Sequence, residues 1–200
     1  MQLDHIVVAG ARLDDAVAHI EAALGVSMQT GGHHVRYGTH NALMGLADGI
    51  YLEAIAIDPD ATPQSLPRWF GLDAFSGAPR LISWAARVPD LPAAISQYTV
   101  AGDSIDMQRG DLRWRMAVRA DGQLPLAAAF PSLLQWQVSP IPPETLPASG
   151  CALRRLKVHT PIELSSIPEV SAKASIQVLS APALKLEAVF DTPHGERVLT

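Results

Sequence analysis

A single cysteine, Cys151, is too little for an intramolecular disulfide framework or a thiolate zinc cluster. No stretch reaches the roughly 18 uninterrupted apolar residues that a membrane-spanning helix needs. Basic residues are outnumbered, 15 Lys and Arg against 20 Asp and Glu, and the net charge of −5 leaves no electrostatic footprint for nucleic acid. A small anion held by a few local arginines stays compatible with that balance. The opening MQLDHIVVAG has no basic segment and only a four-residue apolar run, so no secretory leader is expected. No glycine-rich phosphate loop is expected either, because GVSMQTGG lacks the strand-to-helix setting such loops require. What the 200 residues do hold is 48% hydrophobic side chains, enough for a real core. The expectation is a soluble, cytoplasmic globular protein of one large domain or two small ones.

Residues 1–58 form one supersecondary unit. Residues 3–9 are a short apolar strand, and Leu13–Leu24 places Leu13, Ala16, Val17, Ile20, Ala23 and Leu24 on one helical face. Asp14 and Asp15 favour its first turn, and Gly25 is a natural stop. Beyond a Gly31-Gly32 turn come β-type runs at 33–37, 41–46 and 50–57, the last two joined by an Asp48-Gly49 turn. Residues 59–79 are a proline-rich linker, with the aromatic Trp69, Phe70 and Phe75 in a short helix.

The unit then repeats over residues 80–138. Residues 81–88 are a strand, Pro89-Asp90 opens a helix from Leu91 to about Val100, and strands follow at 104–108, 112–118 and 130–138. Leu3 aligns with Leu81 at an offset of 78, and Leu52 with Leu134 at an offset of 82, so both ends of the unit match. A second proline-rich linker, residues 139–150, precedes a β-rich extension over residues 151–200. There, strands are expected at 153–159, 175–179 and 184–190, with a helical turn at 162–170, as a partial third module. The fold class is therefore α+β, tandem βαβββ modules sharing a cupped mixed sheet.

The segments LDHIVVA, GTHNALMGLADGIYLEAIA, GDLRWRMAV and FPSLLQW, with TPHGERVL more loosely at the end, carry a resemblance. The chain resembles the glyoxalase-like domain proteins of the vicinal-oxygen-chelate (glyoxalase/bleomycin resistance/dioxygenase) superfamily. That resemblance implies a divalent metal inside the cup, its ligands drawn from the first and last strands of each unit. His5 and Glu53 match the ligand positions of unit one and Gln135 the last-strand position of unit two. The remaining position falls on Ser83, or on Trp84 if the gap is placed differently, and neither is a usual ligand. A His–Glu–Gln site suits Zn, Mn, Ni or Fe without selecting among them, and it leaves coordination positions open. Glu53 or a metal-bound hydroxide would then move a proton during a lyase or isomerase reaction on a small vicinal-oxygen substrate.

Side chains on a strand alternate faces. If Glu53 points into the cup, so do Tyr51, Ile55 and Ile57. If Gln135 points in, Leu134 and Trp136 face the helices; on the preceding strand the same rule sends Ser83 inward and Trp84 outward. His40 either joins His5 in the cup, orients Glu53, or packs at the strand edge; Asn41 joins it as a candidate substrate contact or forms a turn with Thr39. His33 and His34 point to opposite faces and are taken as surface residues. Arg113 and Arg115 share a face opposite Trp114; turned inward they would hold a carboxylate or phosphate, turned outward they are surface charges. Cys151 has no base beside it and is no nucleophile. Two functions compete: a metal-dependent lyase or isomerase, and a metal-free small-molecule binder or sequestering protein with a degenerate metal site. A purely structural domain with a collapsed cup is the third. Two units in one chain allow the cup to close within a single chain, while exposed sheet edges would favour a homodimer.

Overall fold

The computed structural model describes every residue except Leu164 and Ser166, so part of the helical turn expected at 162–170 lies outside the described residues. β1 (Gln2–Ala9) leads into α1 (Leu13–Leu24), followed by β2 (Gln29–His34), β3 (Thr39–Leu46) and β4 (Ile50–Ile57). β5 (Arg80–Arg87), α2 (Leu91–Gln97), β6 (Asp103–Arg109), β7 (Leu112–Val118) and β8 (Ser132–Trp136) repeat that order. In each unit the first strand pairs in parallel with the last, β1 with β4 and β5 with β8. An antiparallel β1–β5 pair joins the units into one eight-stranded mixed sheet, β2-β3-β4-β1-β5-β8-β7-β6. The sheet curls until its edge strands β2 and β6 touch, so closely that a Cβ added at Gly32 would lie only 3.0 Å from the Arg109 side chain.

Local chemistry explains the helices. α1 buries Ala16, Ile20 and Leu24 on one stripe, carries Asp14 and Asp15 in its first turn, and ends at Gly25 with φ 71°, whose N–H bonds the Glu21 carbonyl at 2.8 Å. α2 is shorter than its apolar spacing predicts. The Asp90 side chain accepts from the Ala93 N–H at 3.0 Å to open it, and the backbone tightens into a 3-10 turn over Thr99–Ala101.

The C-terminal strands β9 (Ala152–Thr160), β10 (Ser175–Ser180), β11 (Lys185–Thr192) and β12 (Gly195–Leu199) form a second sheet, β10-β9-β11-β12. Its strand order differs from that of the modules, since β9 is central and pairs in parallel with the strand that follows it. β12 was not expected from the sequence; its burial pattern is mostly exposed, and only Leu199 signals a buried contact. This sheet covers the outer face of the large one. Leu156, Val158 and Phe190 share a core there with Leu3, Ile20 and Trp84. The inner face closes on a separate cluster that includes Val7, Ile55, Trp69, Trp114 and Leu134. No helix among the described residues is long and apolar enough to cross a membrane.

Candidate functional site in the sheet cup

Asp4 and His5 are adjacent, so an unbroken strand would send them to opposite faces. The β1–β5 pairing instead shifts register between Leu3 and His5. Leu3 and Ile6 therefore both reach the outer core, and Asp4 turns to the same side as His5. His5 Nδ1 donates to Asp4 Oδ1 at 2.7 Å, Trp136 Nε1 donates to Asp4 Oδ2 at 3.0 Å, and Arg87 reaches Oδ2 at 3.3 Å. Burial alone would raise the Asp4 carboxyl, but these donors and the charges on His5 and Arg87 outweigh it and hold the carboxyl below its ordinary value.

The His5 ring stacks on Tyr51, 4.5 Å between centroids, and its Nε2 lies 3.5 Å from Glu53 Oε2. Burial and the nearby carboxylates of Asp4 and Glu53 push the Tyr51 phenol well above its usual value, so it stays protonated. Asn41 fixes the other Glu53 oxygen. Its Nδ2 donates to Glu53 Oε1, and its Oδ1 accepts from the Gly32 N–H at 2.9 Å. Behind it His34 is fully buried, with Nδ1 3.1 Å from the Thr39 hydroxyl. Burial first, then the positive charges of Arg109 and the other histidines, keep His34 well below the usual 6.5 and neutral.

The cup is lined above this polar floor by Trp69, Phe70, Trp114, Met116, Leu134 and Trp136, with half-buried Arg109 at its rim. The cavity left between them is about 20 Å³, room for one water-sized group.

Of the residues expected at the site, His5, Tyr51, Asn41 and Glu53 converge in the cup, and Ser83 lies on the same face, its Oγ 3.4 Å from Ser132 Oγ. Four others do not. Gln135 faces the helices: its Oε1 accepts from the Leu91 N–H at 3.2 Å and its Nε2 donates to the Pro89 carbonyl at 2.6 Å. A side-chain amide satisfies an orphan N–H at the start of α2 better than an aromatic wall could, and Leu134 and Trp136 take the cup positions. Arg113 and Arg115 point outward, Arg115 pairing with Asp106 at 3.2 Å, because the apolar partner Trp114 fills the cup. His40 lies on the outer face of β3; orienting Glu53 falls to its neighbour Asn41. Asp4, Arg109, His34 and Trp136 were missed by sequence reasoning. Only Trp136 had a signal, its alternation with Gln135.

The metal implied by the resemblance does not fit this cup. His5 and Glu53 offer two ligand atoms, whereas even an open catalytic site uses three. Asp4 is committed to His5, Trp136 and Arg87, and the second module presents Leu134 and Trp136. Among the described residues the group of three with metal-ligand chemistry is His33, His40 and Asp58, on the opposite face of the sheet.

Gly31 stands at the bulge in β2, where a Cβ would collide with the Asn41 side chain and backbone. Gly31→Ala is expected to cost about 2 kcal/mol by overpacking, measured by urea unfolding. It also displaces Asn41 from Glu53; an unchanged urea midpoint would refute the packing.

The sequence pattern of the family described as Glyoxalase-like domain matches residues 3–166. A comparison with curated proteins gives no match. Among solved structures, a hypothetical protein from Staphylococcus aureus superposes with a TM-score of 0.63 at 13% identity, over 92% of this chain and 88% of that one. A methylmalonyl-CoA epimerase from Mycobacterium tuberculosis is 20% identical with a TM-score of 0.41, over 70% of this chain and 89% of that one. With a family pattern that spans most of its length, and paired βαβββ modules curled about a cup, the chain belongs to the glyoxalase-like domain family.

Proposed function

We propose that the cup is a metal-independent binding site for a small, flat organic anion. The observation that carries this reading is the wall contributed by the second module, where Trp114, Trp136, Met116 and Leu134 stand in place of ligating side chains. Aromatic faces grip a planar molecule, and Arg109 at the rim supplies a positive charge for a carboxylate or phosphate.

The floor holds or moves a proton. Asp4 accepts from His5 Nδ1–H, and the other ring nitrogen, Nε2, faces the Glu53 carboxylate at 3.5 Å. The gap between this nitrogen and the carboxylate is where a proton, or a donor group of the ligand, would be shared. A ligand O–H or N–H aimed at that gap satisfies both, and the pair is placed to withdraw its proton. The 20 Å³ cavity is smaller than such a ligand, so binding requires the aromatic lining to shift. Phe70 in that lining sits at φ 57°, in the left-handed region that costs a bulky residue roughly 1–2 kcal/mol.

Aromatic carboxylates and phosphates screened by thermal shift and tryptophan fluorescence, in parallel with and without EDTA, test this. Binding should survive EDTA and weaken at least tenfold in His5→Ala and in Arg109→Met. Binding that EDTA abolishes and added metal restores would establish the metal-dependent lyase or isomerase reading instead. Hits that ignore both substitutions would place the site elsewhere.

A further inference from the structure

The outer face of the same strands carries a second group of ligating side chains. His33 and His40 are directly opposed partners across the β2–β3 pair. Asp58 follows the end of β4, where its N–H bonds the Gly38 carbonyl at 3.0 Å, and so lies diagonally beside His40 on the same face. One donor atom from each of the three falls within 4.8 Å of the others. The geometry points to a divalent-metal site of the zinc type at His33, His40 and Asp58, separate from the cup.

Four features support it. Two imidazoles and one carboxylate are a donor set suited to Zn²⁺, with a position left for water or an exogenous ligand. Ligand atoms around a tetrahedral ion with bonds of ~2.0–2.1 Å sit roughly 3.3 Å apart, so the observed spacing closes through side-chain rotation alone. His33 is the mobile partner, its side chain 69% exposed, while Asp58 is buried and already held by the Asp60 N–H at 3.0 Å and by His33 Nδ1 at 2.7 Å. Finally, His40 Nε2 is shielded from solvent without any hydrogen-bond partner, an unmet need that a coordinating ion or its water would answer.

The site has room for an outer ligand. A hollow of about 330 Å³ adjoins His40, bordered by Arg12, Asp14, Ile57 and Pro59 at the start of α1. The charged groups around the ion would be Arg12 and Asp14, which pair with each other at 3.7 Å, with Asp58 itself the buried anion. A bound ion would tie the edge strand β2 to β3 and β4 directly behind His34 and Asn41, which face the cup from the same strands.

The 200-residue chain stripped with EDTA, titrated with Zn²⁺ by calorimetry and with Co²⁺ by visible absorption, tests the proposal. One equivalent should bind, and His33→Ala, an exposed change that leaves the fold intact, should weaken Zn²⁺ at least tenfold. His40→Gln and Asp58→Asn should do the same, whereas His5→Ala should leave Zn²⁺ affinity within twofold of the parent. Failure to bind an equivalent, undiminished binding in His33→Ala, or loss of binding in His5→Ala would each overturn it. Because the cup ligand is also screened in EDTA, a failure here leaves the cup reading standing, and a failure there leaves this one.

Discussion

Asp4→Ala is expected to cost about 3 kcal/mol of stability, the lower end of the range for stranding the partners of a buried charge. The carboxylate is wholly buried and accepts from three side chains; its loss leaves the Trp136 indole N–H and the His5 Nδ1–H without acceptors. Arg87 recovers more easily. It is partly exposed and keeps its bonds to the Gly49 carbonyl at 3.0 Å and Gln2 at 3.2 Å, which is why the upper end of the range does not apply. Asp4→Asn should cost less, since one amide oxygen still accepts. The pH dependence follows from the sign of the shift. The folded carboxyl lies below its ordinary 3.8, so its stabilisation is complete above that value and disappears as pH falls through the lower folded value. Urea unfolding of parent and Asp4→Ala should therefore give midpoints well separated at pH 7 that converge in acid below about pH 4. A separation unchanged into strong acid would show that the loss is packing and not charge. His5 should also lose its fixed tautomer, so cup-ligand binding falls in a variant that remains folded.

Trp84→Ala is expected to cost about 3–5 kcal/mol, the range for emptying a buried aromatic site. Trp84 is fully buried in the outer core between the large sheet and its covering layers. Its Nε1 donates to the Ala128 carbonyl at 3.0 Å, anchoring a turn in which Leu126, Ala127 and Ala128 all have positive φ, at 46°, 54° and 76°. Three consecutive side-chain-bearing residues in the left-handed region persist only where surrounding contacts hold them. The substitution therefore removes a large apolar contact and the anchor of a strained loop together. Trp84→Phe should recover most of the volume while leaving the Ala128 carbonyl unpaired, and so fall between. Calorimetric or urea unfolding reads both. Since Trp84 lies on the far side of the sheet from the cup, ligand affinity of the folded variant should stay within a fewfold of the parent. A stability loss under 1 kcal/mol would contradict the anchoring role.

The fold was largely legible because its signals are local. Apolar spacing over Leu13–Leu24, the Asp48-Gly49 turn and the two nearly equal offsets between units lead to paired βαβββ modules, and the strands form that order. β2 was harder: Gly31 and Gly32 have turn chemistry, yet they lie inside the strand as a bulge between Thr30 and His33. Glycine serves both uses, and only the partner strand distinguishes them.

The site was half legible. Alternation separated Gln135 from Leu134 and Trp136, the two arginines from Trp114, and His40 from Asn41, but it does not say which set faces the cup. The assumption that polar residues line a cavity chose one way, and the structure chose the other wherever a polar group found a better partner outside. Gln135 found the N-terminus of α2 and Arg115 found Asp106; His40 lies outside beside His33 and Asp58 with its Nε2 unpartnered.

The sequence by itself determined the class of the fold, the duplication, and the exclusion of an intramolecular disulfide framework or thiolate zinc cluster, because periodicity, turn chemistry and residue counts are properties of the chain alone. Tertiary structure alone decided that Asp4 stands beside His5, that tryptophans and not ligands wall the second half of the cup, and that the histidine pair with a carboxylate gathers on the opposite face. The reason is geometric. A one-residue bulge or a change of facing moves every later side chain across the sheet, and that parity is set by packing between distant strands.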